Sequence, residues 1–136
     1  MIVVDTNVLV YYYIKGDFTE IAASVHKKDA TWVAPFLWRG EFRNTALLFL
    51  RKDLLTLSQV SRITQAAQNR MRDYEFHIAT NDVYRLAKAS NCSAYDCEFV
   101  ALAQELQVPL VTVDKKVLRE FPETAVTPQQ FLEMQN

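Results

Sequence analysis

Four acids in this sequence stand where apolar residues would be expected. Asp5 closes the run Ile2-Val3-Val4, and Asp114 closes "PLVTV". Short continuous apolar runs rich in β-branched residues read as strands buried on both faces. Both acids therefore stand at the carboxyl ends of strands, the edge of an open α/β sheet where sites form near the reversal of strand order. Glu41 falls within a long helical pattern. At ~100° per residue, Leu37, Thr45 and Leu48 share its side while Arg39 and Arg43 point elsewhere, so the spacing predicts Glu41 within the apolar stripe. An unpaired carboxylate there needs a partner or a cation. Asp96 opens another helix, with Phe99, Val100 and Ala103 on its side, whereas Glu98 aligns with Glu105. Each acid has a structural alternative. Asp5 and Asp114 suit the N-caps of helices starting near Asn7 and at Lys115, Glu41 suits a salt bridge to an arginine, and Asp96 suits a capping acid worth up to ~1 kcal/mol.

If the four converge at one sheet edge, their chemistry is constrained. Two carboxylates ~5 Å apart repel by roughly 3 kcal/mol at an effective dielectric of ~20, so protons or cations must neutralise the cluster. No soft ligand joins it. Cys92, Cys97, His26 and His77 contain no C-x-x-C pair and make no zinc quartet. Hard oxygen donors suit Mg²⁺, with Mn²⁺ as a substitute. Such an ion keeps waters and gains ligands from a phosphate, as in metal-assisted phosphodiester cleavage. Charge distribution adds a second feature. The net charge is −1, but from Arg39 to Arg72 seven basic residues face two acids, leaving eight basic and fourteen acidic residues elsewhere. A basic block can follow a phosphate backbone; it also describes the solvated faces of two surface helices.

The elements that must position these residues alternate along the chain. After "IVVD" come a helical "FTEIAASVHKK", a strand-like "ATWVAP" and the helix "FLWRGEFRNTALLFLRKDLL". A helix "SQVSRITQAAQNRMRD" capped by Ser58 follows, then a strand "YEFHIA" and a helix "TNDVYRLAKASN" capped by Thr80 or Asn81. "SAYDCEFVALAQELQ" opens on Ser93-x-x-Asp96, a capping box with Asp in place of Glu. A strand in "VPLVTVD", a helix in "KKVLREF", an extended "TAVTP" and a last helical turn in "QQFLEMQ" complete the chain. Alternating strands and helices predict an α/β fold, a parallel sheet with helices on both faces.

Length and composition agree. The 136 residues allow one domain, and half of them are apolar with 23% charged, which excludes wholesale disorder. Two glycines and four prolines disfavour a turn-dense all-β fold. Two cysteines write no disulfide framework and fit a reducing, cytoplasmic setting. No apolar run reaches the ~18 residues of a membrane span, and the N-terminus, interrupted by Asp5, does not read as a signal peptide.

"VVDTNVLV", Glu41 in "WRGEFRN" and "SAYDCEFVALAQELQVPLVTVDKKV" together resemble the PIN-domain ribonucleases, and in particular their small single-domain toxins of the VapC type. The likeness covers nearly the whole chain. It implies a PIN-like three-layer sandwich over residues 1–136, with a mostly parallel sheet of about five strands, and a divalent-metal-dependent endoribonuclease. Asp5, Glu41, Asp96 and Asp114 would hold one or two Mg²⁺ ions. Asn7 would support Asp5 by hydrogen bonds, Thr112 would line the same pocket, and Glu98 is a candidate outer ligand. Arg39, Arg43 and Lys115 are candidates for RNA contact. Gly40 marks a late helix start or a close backbone approach. The resemblance further implies a small antitoxin partner and a homodimer, contacts that Tyr11, Tyr12, Tyr13 and the helix from Phe36 to Leu50 could serve, although core packing is the more common role of such aromatics. Other readings are a catalytically silent RNA- or protein-binding module, a housekeeping PIN nuclease without an antitoxin, and a phosphoryl-transfer domain with Asp5 as nucleophile. Asn7 argues against the last, because such enzymes carry Asp-x-Asp after the first strand.

Overall fold

The computed structural model describes residues 1–135. Five strands form one sheet: β1 (Ile2–Val4), β2 (Trp32–Pro35), β3 (Glu75–Phe76), β4 (Leu110–Val111) and β5 (Ala125–Val126). Their order is β3-β2-β1-β4-β5 and every neighbouring pair is parallel. The chain steps outward from β1 to β2 to β3, then returns to lay β4 on the free side of β1, with β5 beyond it. Strand order therefore reverses between β1 and β4, and Asp5 follows β1 directly while Thr112 and Asp114 follow β4. This is the crevice where open α/β sheets place ligands.

Among the described residues eight helices connect and follow the strands: α1 (Thr6–Tyr13), α2 (Thr19–Lys28), α3 (Trp38–Arg51), α4 (Leu57–Met71), α5 (Thr80–Lys88), α6 (Ala94–Leu106), α7 (Lys115–Glu120) and α8 (Pro128–Glu133). Parallel connections of this kind are right-handed as a rule, so crossovers on either side of the reversal put helices on both faces. The helices α5 and α6 pack together with α6 against β1, β2 and β4. The second group links α1 to α2, α3 and α4, and α2 to α8. Buried through its middle at Cys97 and the stretch Phe99–Ala103, with both ends exposed, α6 is the central core helix. Among the described residues no helix is long and apolar enough to cross a membrane.

Local signals explain several boundaries. The Ser93–Asp96 capping box forms as the sequence suggests. Helix α4 starts earlier than Ser58 would have it: Thr56 is the N-cap, its hydroxyl accepting from the Gln59 N–H while Gln59 Oε1 accepts from the Thr56 N–H. The reason is reciprocity, since Ser58 has only Ser61 three residues on. Ala79, not Thr80 or Asn81, is the N-cap of α5, and no side chain caps that helix. In α3 the buried stripe is Trp38, Phe42 and Ala46. The two large aromatics claim the core, so Glu41, expected within the stripe, sits half-buried at its margin, and Leu48 is exposed.

Candidate active site

Asp5 is held from three sides. Its backbone N–H donates to the Val111 carbonyl (3.1 Å), tying it to β4, and its Oδ1 accepts from the Val8 N–H (3.1 Å), capping α1. Its Oδ2 accepts from the Thr112 hydroxyl, which in turn accepts from the Asp114 N–H (3.0 Å). Asp114 caps α7, its Oδ1 accepting from the N–H groups of Lys116 (2.9 Å) and Val117 (3.0 Å). Both caps anticipated from sequence therefore exist, and they leave the residues at the sheet's reversal point rather than removing them from it. Glu41 Oε1 accepts from the hydroxyl of Thr6 (2.7 Å), itself buried in the first turn of α1. Asp96 Oδ2 completes the box on α6 by accepting from the Ser93 N–H (3.3 Å).

All four carboxylates line one cavity of about 600 Å³, together with Asn7, Thr112 and Tyr95. Burial pushes Asp5 up to about 6 against the pull of its hydrogen bonds, with Asp114 adding to the rise. Burial also raises Glu41, partly offset by the Thr6 hydroxyl and reinforced by Asp96. These acids feel one another and no cation. Among the described residues the ion pairs join the N-terminal amine to Asp29, Arg39 to Glu75, and Arg85 to Asp82; none reaches the cavity's carboxylates.

Among the described residues no three acidic, histidine or cysteine side chains close into a cage by themselves. The arrangement is an open one, with hard oxygens spread around a cavity that has room for more ligands. It fits a cation that binds through one or two carboxylates and fills its shell with water and phosphate oxygen, and it does not fit zinc.

The sequence profile of the PIN domain matches residues 2–124. This chain belongs to the PIN domain family, a nuclease superfamily whose members generally use divalent metal ions. Two solved structures share the fold. The crystal structure of PAE2754 from Pyrobaculum aerophilum superposes with a TM-score of 0.73 at 18% identity, over 96% of this chain and 92% of that one. That of FitAcB from Neisseria gonorrhoeae superposes with a TM-score of 0.74 at 15% identity, over 95% and 99%. A segment of 53 residues is 36% identical to the ribonuclease P protein component of Mesomycoplasma hyopneumoniae, covering 39% of this chain and 47% of that protein. The chain thus spans about half the length of the curated relatives it matches.

Within this PIN domain the remaining candidate residues divide. Thr112 lines the cavity and orients Asp5. Asn7 lines it too, but among the described residues it makes no hydrogen bond to Asp5; the Val8 amide and the Thr112 hydroxyl hold that carboxylate. Glu98 opens on a neighbouring cavity, where burial and then Glu41 raise its pKa. Arg39 forms a bidentate pair with Glu75 (2.6 and 2.8 Å), so its guanidinium is engaged. Arg43 is exposed on α3, off the cavity wall, and Lys115 is exposed next to Asp114. An added Cβ at Gly40 would meet nothing within 4 Å, and the residue lies inside α3, so neither a late start nor a close approach accounts for it. Tyr12 packs against Trp32 and His26, a packing role. Sequence reasoning missed Thr6 as the partner of Glu41. Its signal was present: a hydroxyl directly after Asp5, on the first turn of a helix that must pass the reversal point.

Proposed function

We propose that this PIN domain is a Mg²⁺-dependent endoribonuclease, Mn²⁺ substituting, that hydrolyses RNA phosphodiester bonds as the toxin of a toxin–antitoxin pair. One observation carries the nuclease reading: four carboxylates line a single cavity at the reversal point of a parallel sheet, and among the described residues no basic side chain lines that cavity or pairs with them. Asp5, Glu41, Asp96 and Asp114 would share one or two cations through hard oxygens, each ion met by one or two carboxylates with water and phosphate oxygen completing its shell. When bound, it would supply the Lewis acidity that phosphodiester hydrolysis needs, at a water and at the leaving oxygen. The chain's own contribution is orientation. The Val8 amide and the Thr112 hydroxyl fix the two oxygens of Asp5, Thr6 fixes one oxygen of Glu41, and the caps of α6 and α7 fix one oxygen each of Asp96 and Asp114; the remaining lone pairs of these carboxylates are available to a ligand. Lys115 stands beside Asp114, where it would meet a phosphate backbone. The toxin role, the antitoxin partner and the homodimer rest on the family likeness of the segments around Asp5, Glu41, Asp96 and Asp114.

The deciding experiment is cleavage of a defined RNA by protein purified free of host nucleases. Cleavage in Mg²⁺ or Mn²⁺ that stops with EDTA and returns on adding metal is the expected result; undiminished cleavage in EDTA overturns the mechanism. For the toxin role, expression of the chain alone should slow growth of the host while Asp5→Asn does not. Equal harmlessness of the two returns the chain to a housekeeping nuclease.

A further inference from the structure

A second cavity, of about 320 Å³, shares a wall with the acidic one. Three pairs of adjacent residues build that wall. Phe36, Ala94 and Glu98 line the smaller cavity, while Leu37, Tyr95 and Phe99 line the larger. Aromatic surface collects around the smaller cavity. Phe36 and His77 are stacked with ring centroids 4.5 Å apart and an interplanar angle of 28°. Phe36 is 39% exposed and Tyr84 65% exposed, and His77 is exposed beside them. Val83 and Phe76 complete an apolar floor, and Glu98 is the one acid on the lining. Core packing does not explain rings held at the surface around an opening, and no ion pair within the described residues involves Glu98.

We propose that this cavity is a nucleobase subsite, taking an unpaired base that flanks the phosphate in the acidic cavity, with Phe36, His77 and Tyr84 as stacking surfaces and Glu98 as the acceptor for the base's N–H groups. The inference rests on the RNA substrate proposed above. Aromatic rings stack any base, and single-stranded RNA offers its bases splayed and unpaired. A carboxylate accepts only, so it selects bases by their donors. Guanine presents two adjacent donors on its Watson–Crick edge, N1–H and the N2 amino group, which match a carboxylate's two oxygens. Cytosine and adenine offer one amino group each, and uracil a single ring N–H flanked by carbonyls. Guanine is therefore the preferred base and uracil the poorest.

The test uses the full chain in EDTA with fluorescent oligouridine decamers that carry one central guanosine, cytidine, adenosine or none, read by anisotropy. Guanosine should bind tightest. Tyr84→Ala and His77→Ala should each weaken its binding about ten-fold, Tyr84→Phe should restore it, and Glu98→Gln should remove the advantage of guanosine over uridine. All are exposed or half-exposed side chains, and thermal melts confirm that the variants fold. Equal binding of the four oligomers, or Tyr84→Ala binding unchanged, overturns the subsite. So does a variant that loses a co-purifying protein while its RNA binding is unaltered, which would make the cavity a protein contact. The same oligomers in Mg²⁺ separate the two readings: base-selective binding without cleavage keeps the subsite and ends the nuclease assignment, and cleavage without base selectivity does the reverse.

Discussion

Glu75 and Asp5 are both carboxylates withdrawn from water beside the same sheet, and the fold neutralises only one of them. The Glu75 side chain is 3% exposed. Arg39 grips it bidentately, and the Trp38 indole N–H adds a third bond at 2.7 Å. Burial alone would raise its pKa, but those donors and the charges of Arg39 and Arg72 hold it below the usual carboxylate range. Asp5 receives bonds from an amide and a hydroxyl, both neutral, and the charge that acts on it most is another acid, Asp114. Its pKa accordingly rises to about 6. A carboxylate that serves the fold receives its counter-charge from the chain; one that serves a ligand is oriented by neutral groups and left charged.

That contrast is broken most directly by removing each charge in turn. Asp5→Asn should lower RNA cleavage by at least about a hundred-fold, the scale for losing one group that stabilises charge in a transition state. Glu75→Gln should leave cleavage per folded molecule unchanged, since Glu75 is engaged with Arg39 and Trp38 and lies off the acidic cavity. Single-turnover rates on one defined RNA measure both. Equal losses in the two variants would end the distinction between a structural and a functional carboxylate.

Stability should respond in the opposite order. Glu75→Gln leaves Arg39 without its partner and should cost roughly 2–3 kcal/mol, less than a fully buried pair because Arg39 is about one-third exposed. Asp5→Asn should instead stabilise the metal-free protein at pH 7, by roughly 1–3 kcal/mol. The sign follows from proton uptake. With its pKa raised from 3.8 to about 6, native Asp5 holds a proton that the unfolded chain releases, so stability falls as pH rises through that window. Glu75, with its pKa lowered, contributes stability above the ordinary carboxylate range and loses it as pH falls below. Urea unfolding in EDTA from pH 3 to 7 should therefore show Asp5→Asn flattening the decline between pH 4 and 6, and Glu75→Gln flattening the loss below about pH 4.5. If Asp5→Asn is destabilising at pH 7, the Asp5 charge is balanced within the fold after all.

How much of this was legible in the sequence depended on the range of the interaction. The parallel α/β architecture followed from alternation, and the box at Ser93 and Asp96 from a spacing of three residues. The acids at strand ends were visible because strands of this kind tolerate none. What escaped were matters settled between elements. The Glu41 stripe was misplaced by one position because helical spacing alone cannot tell which large residues, here Trp38 and Phe42, win the core. Arg39 looked free because its partner, Glu75, lies 36 residues on, across a sheet pairing that spacing does not encode. Thr112 was placed in the pocket but not as the partner of Asp5, and Thr6 was missed, because each hydroxyl finds its carboxylate on a different element.

The smallest expected effect concerns the basic residues, and it carries the comparison from acids to their counterparts. Arg39 and Lys115 are both cationic, yet Arg39 is bound to Glu75 while Lys115 is exposed at the start of α7, one residue from Asp114. A phosphate contact releases condensed counterions, so for single-stranded RNA each contact adds about 0.7 to the slope of log affinity against log salt. Lys115→Ala should reduce that slope by about this amount and weaken binding modestly and uniformly across sequences. Arg39→Ala should leave the slope as it is and lower stability instead, since it frees a buried Glu75 carboxylate. Titrations of a labelled oligoribonucleotide between 50 and 300 mM KCl, done in EDTA to prevent cleavage, measure the slopes. A reduced slope in Arg39→Ala would mean that RNA draws the guanidinium away from Glu75, and the paired carboxylate would then belong to the RNA-binding surface as well as to the fold.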